Sequence, residues 1–191
     1  MKLITSITLA LAGTLWCVAT PPDMADSTNL SERFTAGETL QADEAANVYY
    51  GAVRRPGFNA TADYPDVAKA YSSGDMAGAY RMSKEALAKD PTNLSLLFKA
   101  YAAATATNAA DARAFQQRIL QICDAIFASG KGVSEQSPYI VTRQGDIDEF
   151  LMKYIQPSSV TGRAKLGNLD AVKVTLEGVP DEVILYFKIL K

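Results

Sequence analysis

The chain has 191 residues, no histidine, and a formal charge of −2 from 19 basic and 21 acidic side chains. The missing histidine excludes imidazole acid–base relays, the common Ser–His and Cys–His nucleophile pairs and most zinc sites. The mild acidity excludes a nucleic-acid surface, which needs a basic stripe, and no basic amphipathic helix suited to an anionic membrane is present.

The N-terminus carries one positive side chain, Lys2, and then an uncharged run from Leu3 to Ala19. A short basic start, an apolar core and a small-residue cleavage site define a secretory signal. Cys17-Val18-Ala19 supplies the small residues and places the cut after Ala19. A transmembrane anchor needs roughly 20 apolar residues, and Pro21-Pro22 end the run too early for one. Lipid attachment at Cys17 is the other alternative, disfavoured because bulky Trp16 stands where a small residue is required. Residues 1–19 are therefore read as a signal peptide, 20–29 as a flexible lead-in and 30–191 as one domain. The expected location is the periplasm or the outside of the cell. The exported chain keeps only Cys123, which cannot form an internal disulfide and reads as a small buried hydrophobe.

Short helices are expected over Leu30–Phe34 and Ala42–Tyr50, broken at Ala36-Gly37, with a turn at Pro56-Gly57-Phe58-Asn59. From Asp63 the pattern is helical. Met76, Ala79, Tyr80, Ser83, Ala86 and Leu87 recur at steps that share one helix face. Asp90-Pro91 stops that helix, and Asn93 is placed to cap the next. That next helix carries a stripe of Leu94, Leu97, Phe98 and Tyr101. A third long helix is expected over Ala110–Ser129, with Phe115, Ile119, Ile122 and Ile126 inward and Gly130 as its stop. A short helix follows at about Asp146–Tyr154. The period then changes to two: Val172, Val174 and Leu176 alternate with Ala171, Lys173 and Thr175, and across the turn at Gly178-Val179-Pro180-Asp181 Val183, Leu185, Phe187 and Ile189 alternate with Ile184, Tyr186 and Lys188. A hairpin alone is marginal in water, so it is expected to pack on the helices or pair with Tyr139-Ile140-Val141. The fold class is α+β, mostly helical, with a helix pair and a C-terminal β-hairpin or small antiparallel sheet.

The segment Gly74-Asp75-Met76-Ala77-Gly78-Ala79, with Ala86-Leu87-Ala88-Lys89-Asp90-Pro91, resembles the second helix of a tetratricopeptide repeat. A stable array needs about three repeats, so the implied unit is one helical pair within a larger fold. A wider resemblance runs from Leu30 to Lys191. Leu30-Ser31-Glu32-Arg33-Phe34, Ala36-Gly37-Glu38-Thr39-Leu40, Val48-Tyr49-Tyr50-Gly51, the helical pair, Ala128-Ser129-Gly130-Lys131-Gly132 and Leu185-Tyr186-Phe187 together resemble an exported bacterial family, domain of unknown function 4919. The resemblance implies export and a tetratricopeptide-like helical part, and it brings no activity or catalytic residues.

Few patterns remain that carry chemistry. Ser129-Gly130-Lys131-Gly132 follows a helix instead of opening one, so it lacks the helix N-terminus that binds phosphate. Asp146, Asp148 and Glu149 are the densest acidic group in the latter half. Asp146 caps the helix and the others favour its positive end, or, in the alternative reading, the group supplies acid and base in a histidine-free hydrolase. Tyr49 and Tyr50, with Phe58 and Tyr64 across the loop, are the candidate binding surface, since tyrosine combines a large apolar area with a polar tip. The competing reading of these rings is core packing, with one of the adjacent pair turned inward. Asn29, Asn59 and Asn93 open Asn-x-Ser/Thr triplets, relevant only in a eukaryotic secretory route. No catalytic residue, metal ligand or cofactor is assigned. The expectation is a non-enzymatic binding or scaffold domain whose partner is a protein or peptide.

Overall fold

The structure, a computed structural model, describes residues 24–191, so the signal segment and Cys17 lie outside the described residues. The first helix, α1, runs Met24–Ala36 and begins within the stretch expected to be an irregular lead-in. Leu30 and Phe34, one turn apart, are both buried. Gly37 ends the helix with φ +76°, and a Cβ there would lie 2.5 Å from the Ala114 backbone. Only glycine meets both conditions. The next helix, α2 (Ala42–Gly51), is opened by Glu44, whose carboxylate accepts the Gln41 amide N–H at 2.8 Å. Ala45, Val48 and Tyr49 form its buried side.

The helical stretch expected from Asp63 is two helices, α3 (Pro65–Ser72) and α4 (Met76–Leu87). They are divided at Gly74, which has φ +82°. Pro65 starts α3 in the position where its missing N–H costs nothing. The Asp75 side chain caps α4 by accepting the Gly78 amide at 2.9 Å. Ala79, Ser83, Ala86 and Leu87 of the expected face are buried, while Met76 and Tyr80 lie at its margin. Helix α5 (Leu94–Ala106) is capped by Asn93, which accepts the Leu96 amide at 3.1 Å. Its burial extends beyond the expected stripe, because Leu96, Ala100, Ala103 and Ala104 are also enclosed. Helix α6 (Ala112–Ala128) buries Phe115, Ile119, Ile122 and Ile126, with Cys123 fully enclosed among them. Burial raises the Cys123 thiol to about 12, as suits an inert core thiol. Successive helices pack on one another from α3 to α6, and α2 lies along α6.

Gly130 follows α6 but is not among the positive-φ glycines, so it is not a left-handed stop. A Cβ there would overlap the Pro138 carbonyl, so the glycine serves a close backbone approach. That approach delivers β1 (Tyr139–Val141) to the sheet. The expected helix after it is α7 (Gln144–Glu149), continued by a π-helical stretch Phe150–Ile155 and closed at Gln156 with φ 54°. Strands β2 (Ser159–Leu166), β3 (Leu169–Thr175) and β4 (Val183–Ile189) complete a sheet of order β1-β4-β3-β2. The expected hairpin is β3–β4, and β1 joins it parallel to β4, with Tyr139 opposite Phe187. The sheet is therefore mixed, and larger than a hairpin by the edge strand β2, which the sequence reading left unassigned. Its inner face sets Val172, Val174, Leu185 and Phe187 into the common core, and Phe187 meets Tyr139 and Phe150 ring to ring. The class is α+β and mostly helical.

Candidate binding surface

The four aromatic residues expected to share one surface are divided among three places. Tyr49 is fully buried and cannot touch a partner. Its hydroxyl donates to Asp146 Oδ2 at 2.7 Å and accepts the Thr142 amide N–H at 3.0 Å. Burial, reinforced by the nearby Asp146 charge, holds its ionisation well above the usual tyrosine value. Tyr50 turns the other way on α2 and is half-buried. Its hydroxyl reaches the carbonyls of Ala125 and Ile140 at 3.0 and 3.2 Å, and burial pushes it up to about 12. Phe58 lies under the guanidinium of Arg143, 4.5 Å from ring centroid to charge. Tyr64 points its hydroxyl at Asp90 from 3.4 Å. The expected common groove of these four rings is therefore not formed. Adjacent positions on a helix diverge by about 100°, and the loop rings are drawn to an ion pair.

That ion pair belongs to a buried polar network that no local sequence pattern announces. Arg143 is almost fully enclosed and donates to Asp90 Oδ1 at 2.5 Å, and to Thr142 Oγ1 at 3.1 Å. Thr142 in turn donates to Asp146 Oδ2 at 3.0 Å, so the chain of bonds runs from Asp90 to Tyr49. The Leu94 amide, at the N-terminus of α5, also favours the Asp146 carboxylate. Burial nevertheless pushes its carboxyl above the ordinary aspartate value, against the pull of Arg143 and these donors. The residue expected to cap its own helix instead ties α7 to Tyr49 of α2 and to Thr142. A second buried cation, Arg118, grips the same Asp90–Asn93 turn by donating to the Pro91 carbonyl at 2.7 Å. It lies over the Phe34 and Phe115 rings and, lacking a carboxylate partner among the described residues, is lowered to about 10 by burial.

The remaining acids of the expected group are separately engaged. Asp148 pairs with Arg163 at 2.5 Å, and Glu149 faces Lys99 at 3.9 Å. Among the described residues no three carboxylates or thiols are gathered as a cation site.

An open groove lies between α2 and α6, with a volume of about 380 Å³. Leu40, Ala42, Ala46, Tyr50, Ala125 and Ala128 supply its apolar walls. The polar groups in the walls are nearly all committed. Gln121 donates to the Glu38 carbonyl and accepts the Leu40 amide, joining α6 to the α1–α2 link. Ser129 donates to the Ile126 carbonyl and accepts the Ile140 amide. Asp124 differs: it is exposed, accepts one bond from the Tyr154 hydroxyl at 2.8 Å and takes part in no ion pair among the described residues. The groove thus offers an apolar body and one carboxylate with spare acceptor capacity. Sequence reasoning found Tyr50 and missed Asp124 and the alanines, which show no pattern until two distant helices are brought together.

The fold defines an α+β domain in which consecutively packed helices are closed by a mixed four-stranded sheet. Over residues 26–191 the chain matches the family model described as Domain of unknown function (DUF4919), and it belongs to that family. No curated protein and no solved structure matches the chain. Among the described residues no helix is long and apolar enough to cross a membrane.

Proposed function

We propose that this chain is an exported, non-enzymatic binding domain whose ligand surface is the α2–α6 groove. The observation that carries the reading is the contrast in that groove: small apolar walls, and one carboxylate, Asp124, without a cation among the described residues. Ligand sites are typically concave, mainly apolar and furnished with a few convergent polar groups. The ligand that fits has an apolar body and a cationic head, as on a lysine or arginine side chain of a protein or peptide. Export is supported by Lys2, the apolar run and Cys17-Val18-Ala19, and the periplasm or the cell exterior is the location this implies. A tetratricopeptide-like origin of the helical part is supported by the glycine–acid turn before α4 and the proline after it.

Titration of isotope-labelled protein with n-hexylamine tests the reading by NMR. The amides of Ala46, Ala125 and Ala128 are expected to shift together, and n-hexanoate at equal concentration is expected to leave them in place. Ala128→Leu fills the groove from an exposed position and is expected to abolish the shifts, while changing stability by less than about 0.5 kcal/mol. Shifts scattered over the surface, or undiminished in Ala128→Leu, would refute the groove.

A further inference from the structure

We propose that the open edge of β2 is a second interaction surface, which takes up an extended, acidic segment of a partner protein as a fifth strand of the sheet. The surface stands apart from the α2–α6 groove. β2 ends the strand order β1-β4-β3-β2, so its eight residues pair with β3 on one side and with no strand among the described residues on the other. The sheet's opposite edge, β1, has three residues, two of them buried. An unpaired strand edge is a row of backbone donors and acceptors to which another chain can add. Which groups are free follows from the hairpin. Gly167-Asn168 join Leu166 to Leu169, and Gly167 has φ +62°. In a two-residue hairpin link the flanking residues bond each other, and bonding then alternates along the strands. Leu166, Ala164 and Gly162 therefore bond β3, while Lys165 and Arg163 turn their N–H and C=O outward.

The side chains give the sign of the partner. Arg163 and Lys165 share the face of β2 that continues Val172 and Asp170 of β3. Gly162, Ala164 and Leu166 share the other face, where Leu166 is 43% exposed. The one irregularity in pairing lies between Val160 and Gly162, so the run from Gly162 to Leu166 is unbroken. Basic residues on an edge oppose self-association. Two copies joined through β2, with their helices on the same side of one sheet, would set these cations beside those of the partner. The same two cations favour a strand that brings acids to that face and apolar residues to the other. A guanidinium carries five N–H donors, and the ion pair of Arg163 with Asp148, at 2.5 Å, leaves most of them to an incoming acid. Lys165 is held by Asp170 at 2.7 Å and reaches Gln144 at 3.5 Å, which keeps its charge beside the edge.

The test uses the peptide acetyl-Thr-Val-Glu-Val-Glu-Val-Thr-amide, whose glutamates have the spacing of Arg163 and Lys165. A lysine-for-glutamate counterpart and a version N-methylated at both glutamates serve as controls, since N-methylation removes the N–H groups that would face the edge. Amide hydrogen exchange of the whole protein, read by NMR, is expected to slow several-fold at Arg163 and Lys165 when the glutamate peptide is added. Ala164 and Leu166, already bonded to β3, are expected to keep their rates. Fluorescence anisotropy with labelled peptides is expected to show the two controls binding about tenfold more weakly or less. In the double variant Arg163→Glu, Lys165→Glu the preference is expected to pass to the lysine peptide, as exchange of interfacial charge does. Unchanged rates at Arg163 and Lys165, or equal binding of the N-methylated peptide, would overturn strand addition. An unchanged charge preference in the double variant would overturn the acidic partner. Protection of the same two amides by rising protein concentration alone would give the edge to a second copy and overturn the proposal. The exchange pattern is read on the unaltered protein, so loss of fold in the variant leaves the test intact.

Discussion

Asp146 on α7 and Asp124 on α6 are treated in opposite ways. Asp146 is buried and meets Tyr49, Thr142 and the N-terminus of α5. Through Thr142 and Arg143 it is linked to Asp90, so the region from α2 to α7 is tied by one run of hydrogen bonds. Asp124 is exposed, meets a single tyrosine hydroxyl and faces an apolar hollow. Acidic character alone does not distinguish the two positions. What does is whether the surrounding donors are used up within the fold, since a buried polar group must be satisfied internally while an exposed one is free to meet a partner. The denser acidic group is bonded within the fold, and the isolated acid has acceptor capacity to spare.

Substitutions in the buried network have the largest expected effect and can break this contrast. Arg143→Ala leaves the largely enclosed Asp90 without its cation and strips Phe58 of its cover, so urea unfolding is expected to show a loss of about 3–5 kcal/mol. A loss below about 1 kcal/mol would mean that the network is ornamental. Tyr49→Phe removes the donor to Asp146 and the acceptor of the Thr142 amide, and is expected to cost about 2 kcal/mol. The next effect is read as a dependence on pH. Because burial raises the Asp146 carboxyl, the folded chain holds that proton to higher pH than the unfolded chain does. Its contribution to stability therefore falls as pH rises from about 4 through the raised folded value. The advantage of the wild type over Asp146→Asn is expected to be greatest in acid and to shrink toward neutrality. Carboxylates held low by their partners, such as Glu44 and Glu182, run the other way but cancel in that difference. An advantage that grows with pH would show that Asp146 is held ionised. The smallest expected effect is that of Ala128→Leu on stability, and a loss above about 1 kcal/mol there would make the groove part of the core after all.

The helices and the β3–β4 hairpin were legible because burial on one side imposes a period on the sequence. Phe115, Ile119, Ile122 and Ile126 repeat at helical spacing and are buried together. Strand β2 escaped for the complementary reason: it is an edge strand with almost every residue exposed, so Ser159–Leu166 is under no pressure to alternate. The start of α1 is similarly polar, and nothing in residues 24–29 distinguishes a helix from a linker. Tyr49 and Tyr50 were recognisable as a pair with one inward member, but which one depended on Asp146, 97 positions away. The groove was illegible because its walls are mostly alanine, a residue equally at home in cores, surfaces and loops. Asp124 carried no signal beyond being an acid on a helix.

The strand order has a consequence for how the molecule comes together in time. Helices α3 to α6 pack mainly on their chain neighbours, so each can find its place soon after it emerges. The sheet has no such freedom. β4 lies between β1 and β3, and Tyr139 waits for Phe187 before its strand has a partner. Until residues 183–189 arrive, β1 is an unpaired edge and the rings of Tyr139 and Phe150 lack their cover. The chain is thus committed early in its helices and late in its sheet.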